Sequence, residues 1–185
     1  MKKRYKISIT ITAFILIIAS IFTIWLLNPY QAVKEAAALL EQENVEITEE
    51  NWILFKTKAG DSDKGLIFYP GARVEAEAYA PLAAQIAEAG YQVVITPMPL
   101  NLAVLGINKA DQIMKKYPEI NEWFIAGHSL GGAMAANYAK QNSSKLKGLI
   151  LLAAYPAESD DLSASSLDVL SIYAANDSFA TLEDI

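Results

Sequence analysis

Residues 127–131, Gly-His-Ser-Leu-Gly, lie between the apolar run Trp-Phe-Ile-Ala at 123–126 and an Ala-rich stretch that ends near Lys140. That pattern reads as a strand, a sharp turn and a helix, and it constrains the fold more than any other feature of the chain. In a Gly-x-Ser-x-Gly elbow the turn lifts the serine hydroxyl out of a sheet edge, where it can attack a carbonyl. Side chains at Gly127 or Gly131 would collide with the neighbouring strand and helix, while Gly132, Ala133, Ala135, Ala136 and Ala139 let the helix pack closely on the sheet. With Gly and Ser each near ~7% of residues, the three fixed positions coincide by chance roughly once in three thousand starts. The alternative for this segment is an ordinary strand-to-helix connection with a serine N-cap. Ser129 is the candidate nucleophile, and the one histidine in 185 residues, His128, stands beside it.

The remainder of the chain supplies a sheet for that elbow. Residues 45–47 and 52–57 read as strands, followed by the turn cluster Gly60-Asp61-Ser62-Asp63. A third strand through Leu66, Ile67, Phe68 and Tyr69 is stopped by Pro70-Gly71. Tyr79, Leu82, Ala83, Ile86 and Ala87 fall at helical spacing and Gly90 ends that helix, after which 91–96 is β-branched. Ile107, Ala110, Met114 and Tyr117 mark another helix, and strands follow at 148–152 and 169–174 around a polar loop at 158–166. Strands alternating with helices predict an α/β fold, a mostly parallel sheet with helices on both faces.

The N-terminus is of another kind. Lys2, Lys3, Arg4 and Lys6 precede residues 7–27, 21 residues without a charge. At ~1.5 Å per residue this stretch spans the ~30 Å hydrocarbon core of a bilayer, and it exceeds the ~7–15 apolar residues of a cleaved signal peptide. It reads as a transmembrane signal anchor. Four cations before it and only Lys34 soon after it predict a cytoplasmic N-terminus and an extracytoplasmic remainder. The expected organisation is a basic segment at 1–6, the anchor at 7–27, a stalk or covering helix within 28–50, centred on 31–43, and a domain at 51–185. Removing the four N-terminal cations from the total of 15 leaves 11 basic against 21 acidic residues, about −10 for the outer part, which excludes nucleic acid as a natural partner. With no cysteine and one histidine, no disulfide, metal site or cysteine nucleophile is expected.

A carbonyl attacked by Ser129 develops an oxyanion that needs preorganised N–H donors. Leu130, at the start of a helix, supplies one. The loop Tyr69-Pro70-Gly71-Ala72 supplies the other from Gly71 or Ala72, because Pro70 has no N–H.

With Ala78-Tyr79-Ala80-Pro81-Leu82, Met98-Pro99-Leu100-Asn101-Leu102 and residues 173–177, these segments resemble the α/β-hydrolase superfamily. They look closest to the small bacterial membrane-anchored members grouped with the "alpha/beta hydrolase fold-5" domain, from about Trp52 onward. The resemblance implies a three-layer α/β-hydrolase fold and a serine hydrolase without cofactor, acting on a small ester or lactone through an acyl-enzyme. It also implies the chain order serine, acid, histidine. Asp177, in the turn after the last strand, matches the acid; Asp160 and Asp161, in the polar loop, are weaker candidates. The family's histidine follows one more strand, and residues 178–185 hold neither, so the expectation is a domain lacking its last strand and helix, cut before the histidine. His128 is expected to pack beneath the elbow rather than act as the base. The apolar loop 98–105 is open to three readings: acyl pocket, membrane contact or core. Tyr155 and Pro156 suggest a modest apolar pocket, and Arg73 a solvated cation or a carboxylate contact. The rival to an enzyme is a catalytically inactive α/β-hydrolase-like binding or envelope protein.

Overall fold

The computed structural model describes residues 2–48, 51–57 and 62–175. Its first element, α1 (Lys2–Leu26), is an uninterrupted helix. Residues Ile9–Leu26 are long and apolar enough to cross a membrane, and none of them is buried against the rest of the protein. The two hydroxyls in its C-terminal half are satisfied within the helix, Ser20 donating to the Leu16 carbonyl and Thr23 to that of Ala19, both at 2.8 Å.

The strands are β1 (Val45–Ile47), β2 (Ile53–Phe55), β3 (Lys64–Tyr69), β4 (Gln92–Ile95), β5 (Glu122–His128), β6 (Gly148–Leu152) and β7 (Asp168–Ile172). They form one sheet in the order β1-β2-β4-β3-β5-β6-β7. β1 and β2 are antiparallel, β2 is antiparallel to β4, and every pair from β4 to β7 is parallel. The helices α2 (Lys34–Ala38), α3 (Ala80–Glu88), α4 (Lys109–Lys116) and α5 (Leu130–Gln141) complete the domain.

Side-chain alternation divides the core into two layers, as a sheet covered on both faces requires. Ile67, Tyr69, Val94, Trp123, Ile125, Leu149 and Leu151 point toward α4 and α5 and pack on Ala110, Ile113, Ala135 and Ala139. Leu66, Phe68, Val93, Ile95 and Ala126 point the other way, onto Ala80, Ala83 and Ala87 of α3. α3 covers the strands up to β5 but not the outer sheet edge, where Val169, Leu170 and Ile172 of β7 are exposed.

The segment expected as a 13-residue covering helix is shorter than that. α2 spans Lys34–Ala38 and continues as a 3-10 turn, Leu39–Glu41, with Ala36 buried and Leu39 and Leu40 packed on the α3 layer. Residues before it are held extended by the bridge between Tyr30 and Val74, in which the Tyr30 N–H donates to the Arg73 carbonyl and the Glu75 N–H to that of Tyr30. Beyond it, β1 joins the sheet edge.

Candidate active site

Register brings the ends of the central strands level. Tyr69 lies beside Gly127 and His128 beside Leu152, so β3, β5 and β6 finish at one edge of the sheet. Open parallel sheets bind ligands outside the carboxyl ends of their strands, and the elbow projects there. Ser129 has φ 51° and ψ −124°, a conformation that a residue with a side chain rarely adopts. Its N–H donates to the Leu152 carbonyl at 3.0 Å, and its own carbonyl receives the first helical bond of α5, from Ala133 at 3.1 Å. The strained turn is thus fastened on both sides.

The flanking glycines are there for close approach. A Cβ on Gly127 would lie 2.4 Å from the Gly131 carbonyl, and one on Gly131 would lie 2.2 Å from the Tyr69 oxygen and 2.3 Å from the Pro70 oxygen. These are backbone atoms of the helix and of the loop after β3, so neither can move aside cheaply. The same closeness sets the loop 69–72 against the N-terminus of α5.

Three groups link that loop to the elbow. The Gly71 N–H donates to the Tyr79 hydroxyl at 2.9 Å, and the Tyr79 hydroxyl lies 2.9 Å from His128 Nδ1. Burial pushes the Tyr79 phenol above its ordinary pKa, against the weaker opposing pull of the Gly71 N–H, so it stays protonated at neutral pH. The tyrosine oxygen accepts from Gly71 and, according to the histidine tautomer, donates to Nδ1 or accepts from it. This arrangement separates the two oxyanion candidates: Gly71 has committed its N–H, whereas no acceptor takes that of Ala72 among the described residues. The Leu130 N–H is likewise open, since the first residue of a helix has no carbonyl one turn behind it.

A cavity of about 390 Å³ opens beside Ser129, lined by Leu130, Ala133, Ala153, Ala154, Tyr155 and Ala157. Its wall is made of small apolar side chains and one tyrosine. Loop 98–105 lies elsewhere and is divided in itself: Met98 and Ala103 are buried in the core, whereas Leu100, Val104 and Leu105 are about half exposed. Asp160 is buried and receives both bonds from Asn137 Nδ2, at 3.0 Å to each carboxylate oxygen. Asp161 is fully exposed and accepts the Ser163 N–H, which holds its carboxyl below the usual range. Arg73 stacks on Trp25 and Tyr30 and donates to the Asn28 carbonyl. Asp177 lies outside the described residues, as do Gly60, Asp61 and the segment 176–185. Among the described residues no cluster of side chains suited to a metal ion occurs.

Tyr79 is the residue that sequence reasoning missed. Helical spacing marked it as a core position, and nothing in a linear pattern joins residues 71, 79 and 128.

The sequence model of the alpha/beta hydrolase family matches residues 65–185, about two thirds of the chain. The chain belongs to this family. No curated protein matches it. Solved structures share the hydrolase fold at low identity. A Thermus thermophilus protein superposes with a TM-score of 0.59 at 12% identity, over 76% of this chain and 78% of the other. A soluble variant of the monoglyceride lipase of Saccharomyces cerevisiae, in complex with a substrate analog, gives 0.50 at 16% identity, over 63% and 47%. MenH from S. aureus gives 0.47 at 17%, over 56% and 42%. The hydrolase chain thus spans less than half the length of the yeast and staphylococcal proteins.

Proposed function

We propose that the chain is a membrane-anchored serine hydrolase acting on a carboxylic ester or lactone through an acyl-enzyme on Ser129. The observation that carries this reading is the left-handed backbone of Ser129 at the end of β5, beside an apolar cavity and two open N–H groups. Strain of this kind costs about 1–3 kcal/mol and is kept where a side chain must be presented.

In the proposed reaction Ser129 Oγ bonds to the carbonyl carbon and gives its proton to a histidine. In the family order that histidine follows the acid, here Asp177, which would orient it. The carbonyl oxygen becomes an oxyanion held by the Leu130 and Ala72 N–H groups. The carbon–oxygen bond to the alcohol then breaks, and the alcohol leaves with the proton. Water adds to the acyl-enzyme by the same route and releases the acid. The cavity wall of alanines and Tyr155 suits an aliphatic acyl or alkoxy group. His128, adjacent to the serine but bonded to Tyr79, serves the loop and not the nucleophile.

The same reading assigns 1–6 to the cytoplasm, 7–27 to the bilayer, 28–50 to a connection that also lends β1, and 51–185 to an extracytoplasmic hydrolase domain. Membranes bearing the full-length protein should hydrolyse p-nitrophenyl acyl esters, and Ser129→Ala should remove that activity. Asp177→Ala should lower it by about 10⁴-fold. Hydrolysis unchanged in both variants would overturn the proposal, and no hydrolysis by the parent protein would favour the inactive binding protein.

A further inference from the structure

The outer end of α1 is fastened to the same sheet edge that carries Ser129. Arg73, in the loop after β3, lies with its guanidinium carbon 4.1 Å from the centre of the Trp25 ring and 5.1 Å from that of Tyr30. It also donates to the Asn28 carbonyl. Its backbone N–H donates to the Asn101 carbonyl at 2.7 Å, and its carbonyl accepts the Tyr30 N–H at 2.6 Å. One residue therefore holds the end of the apolar helix, the loop after β3 and the loop after β4 together.

The depth of that junction follows from the helix. Ile9–Leu26 is 18 residues, and at ~1.5 Å each it is close to the ~30 Å hydrocarbon thickness. Trp25 lies in its last turn and Tyr30 just past it, the residue types that settle at headgroup level, with a cation over both rings. Loop 98–105, bonded to the Arg73 backbone, begins at that level. There it exposes three large apolar side chains, Leu100 at 51%, Val104 at 49% and Leu105 at 52%. One of them, Leu100 (φ 53°), and its neighbour Asn101 (φ 54°) hold left-handed backbones.

We infer that this face is apposed to the bilayer, with Leu100, Val104 and Leu105 inserted among the lipid headgroups, and that the substrate is an acyl ester lodged in the membrane. The apposition needs only the anchor; the substrate class rests on the hydrolase reading above. A bilayer fits this surface because an apolar loop beside the exit of a span meets lipid without a further partner. The serine site opens at the same ends of the strands as this loop.

The chain has no cysteine, so single labels are clean. Val104→Cys and, at the opposite ends of the strands, the exposed Glu119→Cys are each labelled with NBD in the full protein and reconstituted into phosphatidylcholine–phosphatidylglycerol vesicles. The Val104 probe should shift to the blue, lose its quenching by aqueous iodide and be quenched by lipids with a nitroxide near the headgroup; the Glu119 probe should do none of these. Iodide quenching of the Val104 probe equal to that at Glu119, with no effect of nitroxide lipid, overturns the apposition whether or not the protein is an enzyme. The substrate class is tested separately with L100S/V104S/L105S. Its turnover of a long-chain acyl ester in vesicles should fall while that of a soluble short-chain ester is kept. Equal loss or equal retention on both overturns the membrane-lodged substrate, and no turnover of either by the parent protein refutes the hydrolase reading instead.

Discussion

The two ends of the parallel strands hold their backbones differently. Before β4, at the N-terminal ends, the left-handed conformation falls on a glycine, Gly90 (φ 99°), around which an added Cβ would meet nothing. After β3, β4, β5 and β6, at the C-terminal ends, it falls on Arg73, Leu100, Asn101, Ser129 and Ala153, none of them glycine. At one end the chain relieves strain with the residue that tolerates it; at the other it keeps side chains in place and carries the strain. Arg73 uses its guanidinium to reach Trp25, and on the proposed reading Ser129 keeps its hydroxyl for catalysis. The difference is the one expected if the C-terminal edge of the sheet carries the proposed site.

Substitutions can break that contrast to different degrees. The largest effect is expected for Gly131→Val, which drives a side chain into the Tyr69 and Pro70 carbonyls. It should destabilise the domain by about 3 kcal/mol or more in denaturant unfolding, because neither backbone oxygen can yield. Tyr79→Phe comes next. It leaves the Gly71 N–H without its acceptor and removes the hydroxyl that His128 Nδ1 bonds, for a loss of about 1–3 kcal/mol. Slower ester turnover should accompany that loss as the loop carrying Ala72 loosens. Ser129→Gly sharpens the comparison by reversing it. Removing the side chain from φ 51° should raise stability by about 1 kcal/mol while abolishing covalent chemistry, so thermal unfolding and activity move in opposite directions.

The smallest effect lies away from the strained edge. Burial pushes the Asp111 carboxyl up, but hydrogen bonds from Lys145 and Tyr138 and the lysine charge outweigh it and hold the pKa below the ordinary value. A depressed carboxyl contributes stability above its unfolded pKa, near 4, and loses it as pH falls through the lower folded value. Asp111 and Lys145 are both nearly half exposed, so solvent screening limits the pair to about 0.5 kcal/mol. Lys145→Ala should leave Tm almost unchanged at neutral pH and flatten its decline on acidification.

What could be read from the sequence follows the same division. β6 was legible to the residue, because Leu149–Leu152 is a run of large aliphatic side chains that begins just after Lys147 and gives way to small alanines at 153 and 154. The elbow was legible because glycines at 127 and 131 answer a local steric demand. The covering helix at 31–43 was read too long, since a bridge from Tyr30 to Val74, 44 positions away, holds its first residues extended. The division of loop 98–105 into buried and exposed members was left open because the left-handed backbone at Leu100 goes against the propensity of leucine. The Tyr79 link between Gly71 and His128 is made by the meeting of two strand ends and a helix, and no periodicity encodes it. The turn at Ser129 was therefore legible from its own pattern, while the groups that hold its surroundings emerged only from the fold.

The central claim is that the strained edge presents Ser129 as a nucleophile, and covalent labelling tests it most directly. The full-length protein in its native membranes is treated with a fluorophosphonate, digested, and its modified residue located by mass spectrometry. The account predicts a single phosphonylated peptide with the adduct on Ser129, absent after prior denaturation. Intact, folded protein that remains unmodified at Ser129, or that is modified at another serine at the same rate, would contradict it.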